Sequence, residues 1–469
     1  MKHFLCTLLL AAFMCSVMSC GGSGDSEVTT PESVSDVTTD APKPSYDFGG
    51  REYRILCRTD KSYEFDIAEE TGDLVNDAIY KRNLQVENDY GVRIKPIAAD
   101  GTWNERQTFI NLIGSSVLAN DDSYDLVAGY RGYIVSLITQ GYLTELSGTD
   151  VDFSKPWWYS GFNDNVSIGG KMYFCLGDAS LTMWESLEVV FFNRGLLADN
   201  KLDSPYELVN SDAWYFDKLR EYCAKVSSDL DGNDTMDEND RWGMIFYNIR
   251  DLATYFGNSY CTKDKDGMPM LSLYTERMVD SYAKLFDFLN PSNEARQFVP
   301  DTDQKIFSEG RALFFQAPLR YAALLRDSAT DFGIVPFPKY DKSQTQYYTT
   351  VVDDHSVFCV PISAGDPEFS MLILDALCEK SSELVVPEYY EKALKVKYSR
   401  DTESVEMLDL ARECVWFDFG FTYSQAIGGI GTFLDILNSN NSDIASAWAS
   451  KAPAYESALE ELIAYFKEN

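Results

Sequence analysis

The densest run of side chains able to do chemistry is Asp229 to Asp240, reading Asp-Leu-Asp-Gly-Asn-Asp-Thr-Met-Asp-Glu-Asn-Asp. Oxygen-bearing side chains stand at loop positions one, three, five, nine and twelve (Asp229, Asp231, Asn233, Asp237 and Asp240), with Thr235 at position seven. A hard cation such as Ca²⁺ gathers about six to eight oxygens, and an EF-hand loop spaces its ligands in this way. Two positions depart from that pattern. Asp234 stands where the sharp turn usually takes Gly, which predicts a positive φ that Asp tolerates at some cost. Asp240 replaces the longer bidentate Glu, which predicts a shorter or water-assisted last ligand. The loop is therefore expected to hold a structural Ca²⁺; the competing reading is a solvated acidic turn.

Other chemistry is thinly provided. The chain has 2 His, and His3 is at the extreme N-terminus, so His355 is the one imidazole available to a folded core. His-rich zinc sites are excluded, and little room is left for Ser-His or Cys-His catalysis. Asp and Glu number 74 against 40 Lys and Arg, a net charge of −34, which would repel a phosphate backbone and disfavours nucleic acid as a partner. The 45% hydrophobic and 14% aromatic content is enough for a large core over 469 residues.

The N-terminus reads as an address. Lys2 and His3 precede an apolar run from Phe4 to Val17, too short to span a bilayer. It ends in Val17-Met18-Ser19-Cys20 followed by Gly21-Gly22, which resembles a bacterial lipobox with Val17 in place of the commoner Leu. Residues 1–19 are thus expected to be a signal peptide and Cys20 the lipidated first residue of the mature chain. Residues 20–45, rich in Ser, Thr, Asp, Glu and Pro, form a tether that cannot bury enough apolar area to order itself. Of the 10 Cys, Cys6 and Cys15 leave with the leader and Cys20 takes the lipid, leaving Cys57, Cys175, Cys223, Cys261, Cys359, Cys378 and Cys414. No two have C-x-x-C spacing, and several sit in apolar runs, so they read as buried hydrophobes.

The elements that would position a site come next. Tyr53–Cys57, Val92–Ile94 and Asp125–Gly129 read as strands, separated by amphipathic helices over Leu74–Tyr90 and Trp103–Leu118. Strand-helix-strand at this spacing means right-handed crossovers and a parallel sheet. Ligands of such sheets sit beyond the carboxyl ends of the strands, which singles out Tyr130-Arg131-Gly132-Tyr133. A second set follows: strands over Leu187–Phe192, Ala312–Phe315 and Phe332–Val335, helices over Asp212–Val226 and Met278–Leu289, and a mainly helical run from Pro367 onward.

In order, Pro156-Trp157-Trp158, Gly170-Lys171-Met172-Tyr173, Gly177-Asp178, Phe192-Asn193-Arg194-Gly195-Leu196-Leu197, Trp214-Tyr215-Phe216-Asp217-Lys218-Leu219, Phe307-Ser308-Glu309-Gly310-Arg311-Ala312-Leu313-Phe314 and Gly333-Ile334-Val335-Pro336-Phe337-Pro338-Lys339-Tyr340 span nearly the whole mature chain. With the lipobox and tether, this order resembles family 1 extracellular solute-binding lipoproteins of ABC importers, which are maltodextrin-binding-like. The resemblance implies an α/β, two-lobed, periplasmic-binding-protein-like (type II) fold with discontinuous lobes and a hinge. Lobe one is expected over 46–184 plus 313–350, and lobe two over 185–312 plus 351–469. Chain crossings are expected at Asp178–Leu187, near Gly310–Gln316 and near Tyr348–Phe358.

The resemblance also implies a sugar or oligosaccharide held between the lobes, an ABC permease as partner, a monomer, and attachment to the outer face of the cytoplasmic membrane through the lipid alone. A sugar needs carboxylates, amides and Arg at its ring edge and aromatic platforms on its faces. Carried onto this chain, the candidates are Tyr130 and Arg131 after the third strand, Trp184 and Glu185 in the first crossing, and Gln316 and Arg320 after the second. Trp242 and Tyr255 come from lobe two, Asp353 and His355 from the third crossing, and Trp416 from the late chain. Each has a plainer reading: core packing for the Trp residues, a helix-start ion pair for Tyr130-Arg131, a turn hydrogen bond for His355, and a structural salt bridge for Arg320. The alternative function is a secreted glycoside hydrolase, which needs two carboxylates about 5–10 Å apart. No motif selects such a pair. A sensor for a signalling partner is a third reading.

Overall fold

The computed structural model describes residues 46–290, 292–300, 302–398 and 401–468. The expected signal peptide, lipidated Cys20 and tether lie outside the described residues. Among the described residues eleven strands follow in chain order: β1 (Arg51–Arg58), β2 (Val92–Ala99), β3 (Leu126–Tyr130), β4 (Glu188–Asn193), β5 (Trp242–Phe246), β6 (Cys261–Lys263), β7 (Pro269–Leu271), β8 (Ala295–Gln297), β9 (Ala312–Pro318), β10 (Phe332–Val335) and β11 (Ser356–Cys359).

They build two main sheets. The first has the order β11-β3-β1-β2, the second β10-β4-β9-β5-β8, and β6 pairs only with β7 in a hairpin. In the first sheet β1 runs parallel to both β2 and β3, as the crossover pattern requires, while β11 joins β3 antiparallel. All five residues of β3 are buried, which is why its sequence is continuously apolar instead of alternating. The intervening helix Leu74–Tyr90 starts where the Asp73 carboxylate accepts from the backbone N–H groups of Val75 and Asn76. It stops at Gly91, whose φ of 61° is cheap only without a Cβ.

Strand pairing redraws the expected lobes. β9 and β10 both hydrogen-bond to β4, so 313–318 and 332–335, expected in lobe one, belong to the second sheet. β11 pairs with β3, so 356–359 belongs to the first sheet and not to lobe two. The helix Pro367–Lys380 packs on the helix Leu74–Tyr90, and so goes with the first sheet as well. The expected crossing at Gly310–Gln316 is thus absent, because β9 stays within one sheet.

The other two expected crossings are found side by side. Leu187 and Val351 form an antiparallel bridge, Glu188 N donates to Thr350 O at 3.0 Å, and Val352 N donates to Ser186 O at 2.9 Å. A third run lies against them: Thr349 N donates to Cys414 O at 2.8 Å, and Trp416 N to Thr349 O at 2.9 Å. The lobes are therefore joined by a short ribbon of paired chain, a geometry suited to hinge bending.

Just beyond this ribbon, Asp418 is buried and accepts from the backbone N–H groups of Tyr260 (2.9 Å) and Phe421 (2.8 Å). Burial outweighs these donors and raises its carboxyl from 3.8 to about 7. A carboxyl raised in the folded state stabilises below its unfolded value and loses that contribution as pH rises through the folded value. The contribution of this group to the melting temperature is therefore expected to fall between about pH 4 and about pH 7, and Asp418→Asn to flatten that slope. A melting series over this window checks it.

Candidate functional site

The carboxyl ends of several strands open into one cleft of about 550 Å³ between the two sheets. Tyr130 ends β3. Tyr247, Asn248 and Arg250 follow β5, Gln297 and Phe298 close β8, and Tyr321 follows β9. Val352, Asp353 and Asp354 enter from the crossing before β11, and Asp435 comes from the 3-10 helix Ile430–Ser439. A small chamber of about 90 Å³ shares Arg250 and Asp353 with the cleft and adds Trp103, Phe421, Ser424, Gln425 and Thr432.

The cleft has an aromatic wall on each side. On the first-sheet side the Tyr130 ring stacks on Tyr133 with centroids 5.4 Å apart and lies 6.0 Å from Trp103. On the second-sheet side Tyr247 packs against Phe298 at 5.2 Å and Tyr321 at 5.7 Å. Gln316, wholly buried, sets that side: its carbonyl oxygen accepts from Tyr247 N (2.9 Å) and Asn248 N (3.2 Å), and its amide donates to the Tyr255 hydroxyl (3.1 Å). Tyr255 in turn donates to Glu188 Oε2 at 2.8 Å, at the first residue of β4. Burial and the neighbouring Glu188 carboxylate push Asp251 well above the usual carboxylate range. Burial raises the Glu188 carboxyl as well.

Three carboxylates face the cleft, and they are held differently. Asp435 takes a two-pronged ion pair from Arg250, with Nε 2.9 Å from Oδ1 and Nη2 2.9 Å from Oδ2. Asp354 accepts from Ser186 Oγ at 3.0 Å and faces Arg320 across 3.1 Å. Burial opposes its charge, but Arg320 and Lys61 outweigh it and hold the carboxyl below the usual range. Asp353 accepts from the Tyr130 hydroxyl at 3.0 Å, and burial raises its carboxyl against the pull of Arg131. Asp353 alone borders both the cleft and the chamber among the carboxylates, so its acceptor oxygens are the ones offered to a ligand.

The candidate residues from the sequence fall into three groups. Tyr130 and Asp353 line the cleft, and Arg320 donates to the hydroxyl of Tyr247 at 2.9 Å and pairs with Asp354. Gln316, Tyr255 and Arg131 stand beneath it; Arg131 is 2% exposed and donates to Val351 O at 3.1 Å. The rest lie elsewhere. Trp184 is core, with Arg412 stacked 4.6 Å from its ring. Trp242 is buried, its indole donating to Asp237 O at 2.8 Å. His355 is fully buried, its Nδ1 2.8 Å from Val352 O, and burial and Arg131 push its pKa down to about 3, so it is neutral core. Trp416 is 42% exposed beside Tyr348, away from the cleft lining. Glu185 lines a different cavity.

Trp103, Tyr247, Asn248, Arg250, Gln297, Phe298, Tyr321 and Asp435 were not among the candidates. The strand-end rule that singled out Tyr130 finds Tyr247–Arg250, Phe298 and Tyr321 when applied to β5, β8 and β9. Nothing local marks Asp435 or Trp103.

In the acidic loop, one carboxylate oxygen each from Asp229, Asp231 and Asp240 lie within 4.8 Å of one another. Asp234 has φ 62°, the left-handed turn that its place in the loop demands. Asp240 is fully buried and accepts from Leu230 N and Asp237 N, each at 2.8 Å. Asn233 is tied to Asp231, with its amide 2.9 Å from Oδ2, and Thr235 N donates to Asn233 Oδ1 at 2.8 Å. Asp237 turns one oxygen to Asn239 N at 2.7 Å. The three converging carboxylates are an arrangement that an ion would relieve of mutual repulsion.

No family model matches the sequence, and no curated protein matches it. Solved structures do match. An extracellular solute-binding protein from Staphylococcus aureus in complex with maltose has TM-score 0.59 at 12% identity, over 90% of this chain and 100% of that one. A cyclo/maltodextrin-binding protein complexed with maltotetraose has TM-score 0.56 at 14% identity, over 89% and 97%. An ABC substrate-binding protein from Listeria monocytogenes in complex with cycloalternan has TM-score 0.55 at 12% identity, over 88% and 99%. The chain thus has the α/β, two-sheet architecture of periplasmic-binding-protein type II structures, the fold expected from its segment order.

Proposed function

We propose that this protein is the substrate-binding component of an ABC importer and captures a sugar or oligosaccharide in the cleft around Asp353. The observation that carries this reading is a cleft of about 550 Å³ with tyrosine walls on both sides and Asp, Asn and Arg groups between them. Rings offer faces to the sugar C–H groups, and the polar groups offer partners to its hydroxyls. The similar structures hold maltose, maltotetraose and cycloalternan, which supports a carbohydrate as cargo. A membrane permease is the partner such a capture implies, and Cys20 the lipid anchor.

A hydrolase reading is less well served. Glycoside hydrolysis needs two working carboxylates. Asp354 and Asp435 are both engaged by Arg, which leaves Asp353 without a free second carboxylate in the cleft lining. Binding without turnover is the better fit. A melting panel of the mature chain with mono- and oligosaccharides, peptides and polyamines tests it. A ligand at about 100 times its Kd adds about 2.7 kcal/mol, and one sugar class is expected to give that shift. Shifts from peptides or polyamines alone would exclude a sugar cargo.

The ion at Asp229, Asp231 and Asp240 is proposed to be Ca²⁺, with Asn233, Thr235 and Asp237 completing an oxygen shell. Its role is to brace the loop that carries Trp242 at the head of β5. Adding EDTA is expected to lower the melting temperature, and excess Ca²⁺ to restore it. An unchanged melting curve on chelation would rule the ion out.

A further inference from the structure

Glu185 was a candidate for the cleft, and its actual surroundings describe another site. It sits at the end of the crossing helix Leu181–Glu185 and lines a separate cavity of about 430 Å³. The walls are Tyr63, Asp73, Asn76, Leu181 and Tyr389, with Leu74, Val75 and Ala393 at their edges, and none of these residues lines the cleft. The neighbouring Ser186 instead donates to Asp354 of the cleft, so successive residues of the crossing serve the two cavities.

Two carboxylates, Glu185 and Asp73, face this cavity, and among the described residues neither Lys nor Arg lines it. Asp73 spends one oxygen on capping the helix Leu74–Tyr90. Glu185 has a single donor among the described residues, the Tyr63 hydroxyl on Oε2, where a carboxylate can accept about four hydrogen bonds. Burial raises its carboxyl, with Tyr63 and Lys61 pulling the other way. A withdrawn carboxylate short of donors is completed by a ligand that brings positive charge. Two tyrosines in the lining add ring faces that attract cations. Anions would be repelled.

We propose that this cavity is a second ligand site, for a small organic cation, distinct from the cleft. A ligand there touches the crossing itself, since Glu185 O also accepts from Arg320 N at 2.9 Å. The site stands whatever the cleft holds.

The experiment is a calorimetric titration of choline into the mature chain and into Leu74→Lys, Glu185→Gln and Asp353→Asn. Leu74 is 48% exposed, so a Lys there brings positive charge to the cavity mouth without disturbing the core. Wild type and Asp353→Asn are expected to bind one choline alike, with affinity reduced about tenfold or more in Glu185→Gln and reduced in Leu74→Lys. Unchanged melting of Glu185→Gln and Leu74→Lys shows that they fold. No choline binding to wild type, full binding to Glu185→Gln, or loss in Asp353→Asn alone would overturn the proposal.

Discussion

Replacing Asp353 by Asn should weaken sugar binding about 100-fold while leaving the melting temperature of the unliganded protein nearly unchanged. Hydrogen bonds to a charged group are worth about 1.5–3 kcal/mol each, and about 2.7 kcal/mol is a factor of 100. Asp353 faces both the cleft and the adjoining chamber, and its known protein donor is the Tyr130 hydroxyl. Asn keeps the shape and one acceptor oxygen for Tyr130, so the fold loses little. A sugar hydroxyl loses a carboxylate acceptor. Calorimetric titration of wild type and variant, with melting curves on both, checks the split between binding and stability.

Arg320→Met should destabilise the protein by about 2–3 kcal/mol and weaken ligand binding at the same time. Arg320 reaches Asp354, Ser186 Oγ and the Tyr247 hydroxyl, tying the first crossing, the cleft floor and the aromatic wall together. Removing one partner of a buried ion pair costs about 3–5 kcal/mol, because the other charge is left uncompensated. Here both side chains keep about a fifth of their exposure, 23% and 22%, so water recovers part of that cost. Denaturant unfolding measures the first effect and ligand titration the second. Asp354→Asn in the same background should return part of the lost stability, since it removes the stranded charge.

The expected strand-helix-strand start is found in β1, β2 and β3, because short apolar runs and helical spacing are local signals. The crossings at Asp178–Leu187 and near Tyr348–Phe358 were expected from the family resemblance, not from any local signal. Lobe membership after Gly310 was not legible. β9 and β10 look alike as isolated apolar runs, and only their pairing to β4 assigns them to the second sheet. The candidate site shows the same division. Tyr130, Asp353 and Arg320 came from position relative to strands and crossings. Trp184 and His355 came from the first and third expected crossings and Trp242 from the expected lobe two, and burial consumed all three. An aromatic ring serves a core as well as a sugar, and sequence carries no sign of which way it faces. The chain brought in Asp435 from far away, and no local pattern announces it.

The most direct test is to titrate the mature chain with maltose and longer maltooligosaccharides, and then to recover the sugar by chromatography. One site per chain, loss of binding in Asp353→Asn, and sugar returned unchanged are the predicted results. Sugar returned in shorter pieces would make the protein a hydrolase. Binding that survives in Asp353→Asn undiminished would move the site away from this cleft.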